Sequence, residues 1–389
     1  MTISRGPQAF PRTEYLRRLA AVKLEMGHRG IDALVVNNPR NITYLTGYTA
    51  RSAYVPQALL VSMHKEEPTF VLRLMDAPAA IHQTWLDRGN VIGYPEGLIG
   101  NSEMDGFDAV IDSICELGLA DRGLGLEFGD LSMRTAEKFK SRLPKASLVD
   151  FTNAVAWIRT VKSDFEISIM REAAAIADAG IIRAAEVIAP GMREADVMAE
   201  ITATLARGAN GKPGTDIANV FFCSSPRIGT CHIRWSDDII RPDSQINLEL
   251  GGVRHGYVAA IMRTFSLGAP SDRLRRLHEA ELAGLEVALG TVRPGATCGD
   301  VAKAFNRTIE RHGFTKESRC GYAIGIDWTE PTASLREGDM TELKPNMTFH
   351  LMLGNWIDED FGYVVSETFR VTSSGAEVLT SAPRKLFEL

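Results

Sequence analysis

Ile246-Asn247-Leu248-Glu249-Leu250-Gly251-Gly252 opens a stretch that passes through Arg254-His255-Gly256 and resumes as Y-V-A-A-I-M-R-T-F-S-L at 257–267. The first run alternates, apolar at 246, 248 and 250, and the glycine pair is expected to stop it. A second apolar run after a short glycine-containing connection predicts an antiparallel hairpin. Alternation sets Glu249 on the face opposite Leu248 and Leu250. A mid-strand carboxylate is costly to bury unless paired, solvated or used. Glu249 therefore reads either as an edge-strand residue facing water or as a working group.

Outward from the hairpin, the chain has 389 residues, enough for one large or two ordinary domains. Hydrophobic residues make up 45% and charged residues 24%, the balance of an ordinary globular protein. With a net charge of −6 and no basic tract, nucleic acid and anionic membrane surfaces are poor partners. No apolar run reaches the length of a membrane span, and the first ten residues lack the apolar core of a signal peptide. Five cysteines without C-x-x-C spacing suit reduced thiols, so a cytoplasmic location is expected.

Upstream, helical spacing over 12–29 is followed by apolar runs at 31–36, 55–63 and 69–74. Helices over 107–117 and 133–143 flank a strand at 123–127, so an α/β domain is expected over 1–159. Ser163 can cap a helix from Asp164 to Ile188, with Glu166 reinforcing its first turn. A second helix over 195–206 and a strand at 220–224 precede the hairpin, and helices over 272–289 and 299–312 follow it. I-A-P-G-M at 188–192 and V-R-P-G-A at 292–296 end the two long helices alike. This is a weak internal duplication within a second domain, 160–389.

Helix-helix-hairpin followed by helix-helix-strands, with Arg263-Thr264-Phe265 in the hairpin, resembles the creatinase, prolidase and methionine aminopeptidase superfamily. L-x-x-L-x-x-x-M, G-I-D-A-L-V-V and N-I-T-Y-L-T-G-Y near the N-terminus are similar to its creatinase-type first domain. The resemblance implies an α/β (α+β) protein with a pseudo-symmetric "pita-bread" catalytic domain. It also implies a dinuclear metal site of two Asp, one His and two Glu, a donor set suited to a bridging hydroxide. Those positions have changed here. The first Asp falls on Glu249 and the second on Ala260; the His falls on Tyr322 and the first Glu on Met352; the last Glu is read as Glu367. Two carboxylates without an imidazole would not hold a metal pair, so no metal and no other cofactor are expected.

His232, in C-H-I-R-W, lies where creatinases carry their catalytic base. With Glu249 and Glu367 it would supply a nucleophile, a proton carrier and an orienting group. Its alternative is an ordinary surface histidine. Creatinases hold a guanidinium with two Glu, which fall here on Met262 and Met352, so a guanidino substrate is not expected.

T-E-L-K-P-N-M-T-F-H-L-M at 341–352, K-E-S-R-C-G-Y-A-I-G at 316–325 and W-x-R-x-V-K-S-D-x-E-I at 157–167 resemble the metal-free ectoine hydrolases. That family opens a cyclic amidine to an N-acetyl-diaminobutyrate. The resemblance implies Glu249 as covalent nucleophile, His232 as proton shuttle and Glu367 holding an amidine N–H. Trp235 or Tyr322 would face the substrate cation, with Met352 as apolar lining. It also implies a homodimer, Tyr54 and Arg51 reaching a substrate carboxylate from a neighbouring subunit, and a deacetylase acting downstream. A metal-free hydrolase or lyase for another small nitrogen compound, or a prolidase-type peptidase, are the competing readings.

Overall fold

The computed structural model describes residues 3–50, 52, 54–359 and 361–389. Its contacts divide the chain into two units between Arg159 and Thr160. No helix among the described residues is long and apolar enough to cross a membrane.

The first unit runs α1 (Arg12–His28), β1 (Ala33–Val36), α2 (Pro39–Thr46), β2 (Ala58–Ser62), β3 (Thr69–Arg73), α3 (Ala77–Gln83) and β4 (Val91–Tyr94). It ends with α4 (Gly106–Glu116), β5 (Gly123–Leu126), α5 (Met133–Arg142), β6 (Ser147–Asp150) and α6 (Ala154–Ile158). The sheet order is β4-β3-β2-β1-β5-β6. Val35, Leu60, Val71, Leu124 and Leu126 pack from this sheet against Ile111 and Phe139 of α4 and α5. The Asn38 side chain accepts from Arg40 and Asn41 N–H groups, which starts α2 at Pro39.

The second unit opens with α7 (Asp164–Val187) and α8 (Glu194–Arg207), then β7 (Phe221–Ser224), β8 (Gln245–Arg254) and β9 (Tyr257–Ser266). Then come α9 (Asp272–Thr291), α10 (Cys298–Arg311), β10 (Gly321–Ala323), β11 (Ser334–Leu335) and β12 (Thr348–Met352). β13 (Asn355–Asp358), β14 (Phe361–Tyr363), β15 (Ser366–Val371), β16 (Ala376–Val378) and β17 (Phe387–Glu388) complete it. Ser163 and Glu166 form a reciprocal capping box at the start of α7. The Pro-Gly turns after α7 and α9 each place glycine at positive φ, 84° at Gly191 and 85° at Gly295.

The hairpin differs from expectation in one respect: β8 does not stop at Gly251-Gly252 but continues to Arg254. The glycines are there for close approach. A Cβ on Gly252 would lie 2.0 Å from the Ala173 carbonyl of α7, and one on Gly251 would lie 2.6 Å from the Trp328 ring. The turn is the two-residue His255-Gly256, with φ of 49° and 83°, the handedness that favours tight hairpins.

β17-β9-β8-β7 form one sheet and β11-β10-β12-β15-β16 a second. Leu248, Leu250, Ile261 and Phe265 pack on Ile176, Ile181 and Ile201 beneath the first sheet. Phe349, Leu351 and Phe369 pack on Leu277, Leu285 and Phe305 beneath the second. Each such side chain contributes about 1.5–3 kcal/mol when fully buried. The sheets meet where Ser366 and Thr368 hydroxyls accept from Met262 N–H (2.7 Å) and Ala260 N–H (3.0 Å). The strand faces turned away from the two cores therefore converge.

Candidate active site

Antiparallel partners share a face, and the register assembles the site from that rule. Glu249 pairs with Phe221 of β7 and with Met262 of β9. Tyr322 pairs with His350, His350 with Thr368, and Met352 with Ser366. Gly251, two residues along from Glu249 on the same face, is covered by Trp328. The Trp328 loop folds back on β10 through the Glu330 N–H to the Ala323 carbonyl, at 2.9 Å.

A hydrogen-bonded chain crosses this face. Trp328 Nε1–H donates to the Tyr322 hydroxyl (2.9 Å), which meets His350 Nδ1 at 3.1 Å, and His350 Nε2 meets Ser366 Oγ at 2.7 Å. Full burial lowers the His350 pKa to about 3, so its ring is neutral, donating once and accepting once. Burial, and secondly the nearby Glu249 charge, push the Tyr322 phenol well above its ordinary range.

Glu249 is 7% exposed, and burial raises its pKa to about 8. Among the described residues its side chain makes no hydrogen bond and no ion pair. A buried carboxyl without partners is an open position for a ligand that can donate protons or carry positive charge.

His232 is exposed, at φ 59°, with its ring 5.3 Å from that of Phe221. Phe221 is also the β7 partner of Glu249, and the histidine makes no hydrogen bond to the carboxyl. Its loop is held at both ends by Glu194 of α8. That carboxylate accepts from Ser224 Oγ (2.5 Å), Arg227 (2.7 Å) and the Ser236 N–H (2.7 Å). Burial raises the Glu194 pKa, but those bonds outweigh it and hold the carboxyl below its usual range. Trp235, on the same loop, is 36% exposed.

Glu367 does not join this group. The register sets it opposite Leu351, on the core side, and places Ser366 beside Met352 and His350 instead. Its carboxylate pairs with Arg263 (2.8 Å) and Arg384 (2.8 Å) and accepts from Thr380. One residue of register exchanges the faces of a strand, so Ser366 stands where the sequence reading put a carboxylate. Tyr54 lies in the first unit, 76% exposed, with its hydroxyl accepting from Arg73 at 2.8 Å. Arg51 lies outside the described residues.

His350, Trp328 and Ser366 were not singled out from sequence. His350 sits two residues before Met352 in M-T-F-H-L-M, so strand alternation alone puts both on one face.

The metallopeptidase family M24 profile matches residues 168–373, and the creatinase/prolidase N-terminal domain profile matches 18–161. The chain belongs to the creatinase/prolidase family M24. An uncharacterized hydrolase/peptidase of Sinorhizobium fredii is 70% identical over 387 residues, 99% of each chain. The ectoine hydrolase of Halomonas elongata is 36% identical over 396 residues, covering 97% of this chain and 98% of its own. The Xaa-Pro dipeptidase of Pyrococcus furiosus is 27% identical over 277 residues, 71% of this chain and 78% of its own. Among solved structures, an Xaa-Pro dipeptidase from Bacillus anthracis superposes with a TM-score of 0.83 at 23% identity, covering 96% of this chain and all of its own. This last likeness speaks for the two-domain creatinase and pita-bread fold.

The family description implies a metal, and the residues present do not fit one. Among the described residues no group of three or more His, Cys, Asp or Glu side chains is placed to hold an ion. Among the described residues the converging face offers one carboxyl and one imidazole, and both imidazole nitrogens are engaged by hydroxyls.

Proposed function

We propose that this M24 hydrolase opens a small cyclic amidine, ectoine or a close relative, without a metal. The observation that carries the reading is the partnerless buried carboxyl of Glu249, facing a neutral hydroxyl–imidazole–indole chain where a metallopeptidase needs ligands. Likeness to an ectoine hydrolase over nearly the whole chain supports the substrate.

A cyclic amidinium brings two N–H donors and a positive charge to Glu249, which favours the ionised carboxylate over the neutral acid of the empty site. The carboxylate oxygen then adds to the carbon between the two nitrogens, and the C=N π electrons move to nitrogen. One ring C–N bond breaks, and its nitrogen leaves with a proton carried by His232. Water then attacks the same carbon; one of its protons returns to His232 and the other goes to the released amine, Glu249 departs as carboxylate, and the N-acetyl amide remains. Tyr322, Trp328 and His350 line the cation, Met352 and Met262 supply apolar wall, and Glu367 acts through Arg263 rather than on substrate. A cytoplasmic homodimer is part of the reading.

The test is incubation of the purified protein with ectoine in the presence of chelator, followed by product analysis. Ring opening at the chelator-free rate supports the reading. Activity lost on chelation and regained with divalent metal, on a proline dipeptide instead of ectoine, would replace it with the peptidase reading, which the relatives also include.

A further inference from the structure

We propose that Arg319 binds an anionic group of the substrate, so that the site selects a zwitterion with its cation at Glu249 and its anion at Arg319. This deepens the amidine reading and rests on it. The Arg319 guanidinium lies over the Tyr322 ring, 4.5 Å from its centroid. The hydroxyl of the same ring reaches Trp328 and His350. Tyr322 thus lies between a partnerless carboxyl and an arginine in its surroundings: the guanidinium covers its ring, and both charges bear on its phenol, Glu249 raising and Arg319 lowering its pKa.

Arg319 is exposed and makes no ion pair among the described residues. Its one side-chain hydrogen bond among the described residues is a long one, 3.4 Å to Ser334 Oγ. Other cations of this unit are committed elsewhere. Arg263 and Arg384 pair with Glu367, Arg227 with Glu194 and Arg254 with Glu172. Lys316, three residues upstream, donates to the Gly354 carbonyl and to Ser318 Oγ. A guanidinium stacked on an aromatic ring keeps its N–H edge free, and that edge matches a carboxylate with two parallel bonds. Arg234, on the His232 loop, is also exposed, makes no ion pair among the described residues and serves as a control.

The experiment compares kcat/KM for ectoine and for the same amidine ring lacking its carboxylate, in the parent, Arg319→Met, Arg319→Lys and Arg234→Met. A charge-assisted bidentate contact corresponds to a preference of roughly 10- to 100-fold. The parent should prefer ectoine by about that factor. Arg319→Met should collapse the preference, mainly through KM, Arg319→Lys should restore part of it, and Arg234→Met should leave it standing. If the parent opens both rings and Arg319→Met keeps the same preference, or slows both substrates equally, the Arg319 assignment falls and the amidine reading stands. If the parent opens neither ring, the amidine reading itself falls and takes the assignment with it.

Discussion

Replacing Glu249 by glutamine should make the protein more stable while making it inactive, and the gain should depend on pH. Burial raises the Glu249 pKa from 4.5 to about 8. Between those values the native carboxyl is protonated while the unfolded one is ionised, so unfolding releases a proton and stability falls as pH rises. The loss begins near pH 4.5 and is complete above about pH 8. From 4.5 to 7, at about 1.4 kcal/mol per unit, it amounts to ~3 kcal/mol. Glu249→Gln keeps the shape, carries no charge and escapes this cost, a trade of stability against function of the kind found at working sites. Denaturant unfolding of both proteins from pH 4.5 to 8 should show curves that meet at the acid end and diverge by ~3 kcal/mol at pH 7. Curves that stay parallel, or a variant less stable at pH 7, would mean that the carboxyl is paired or solvated and that its burial has been misread.

Glu367→Gln should behave as a structural lesion, lowering stability by about 3–5 kcal/mol, because Arg263 is left buried without its counter-charge; equal stability with selective loss of catalysis would return Glu367 to the substrate. His350 stays neutral in the native protein down to about pH 3, whereas the unfolded imidazole takes up a proton below about 6.5. Acidification through that window therefore favours unfolding, and His350→Gln should flatten this part of the stability curve; an unchanged acid slope, measured by thermal unfolding, would put the protonated ring in the native state.

Much of this was legible in the chain. Period-two alternation placed Glu249 opposite the Leu248 and Leu250 face, and Ser163 with Glu166 marked the start of the long helix that packs on it. Gly251-Gly252 misled, because glycine as a strand stop and glycine as a point of close approach look alike until Ala173 and Trp328 are in place. Ser366 and Glu367 were indistinguishable for a related reason: adjacent strand residues face opposite ways, and only the pairing with Met352 and Leu351 says which faces the site. The chain of Trp328, Tyr322 and His350 joins a loop and two strands, and no local pattern announces a hydrogen bond between them. Arg319 carried no signal of its own, since a surface arginine becomes informative only through the ring beneath it.

The central claim is a covalent bond to Glu249, and trapping it is the most direct test. His232→Asn should allow attack but slow hydrolysis of the resulting ester, which then lacks its water-activating group. The variant mixed with ectoine, quenched in acid and digested, should show a mass adduct of the opened ring on the peptide containing Glu249. Glu249→Gln should show none and should lose more than ~10²-fold in turnover, the scale of a positioned catalytic group. Turnover of ectoine by the parent with no adduct in the His232 variant, and comparable activity in Glu249→Gln, would contradict the account.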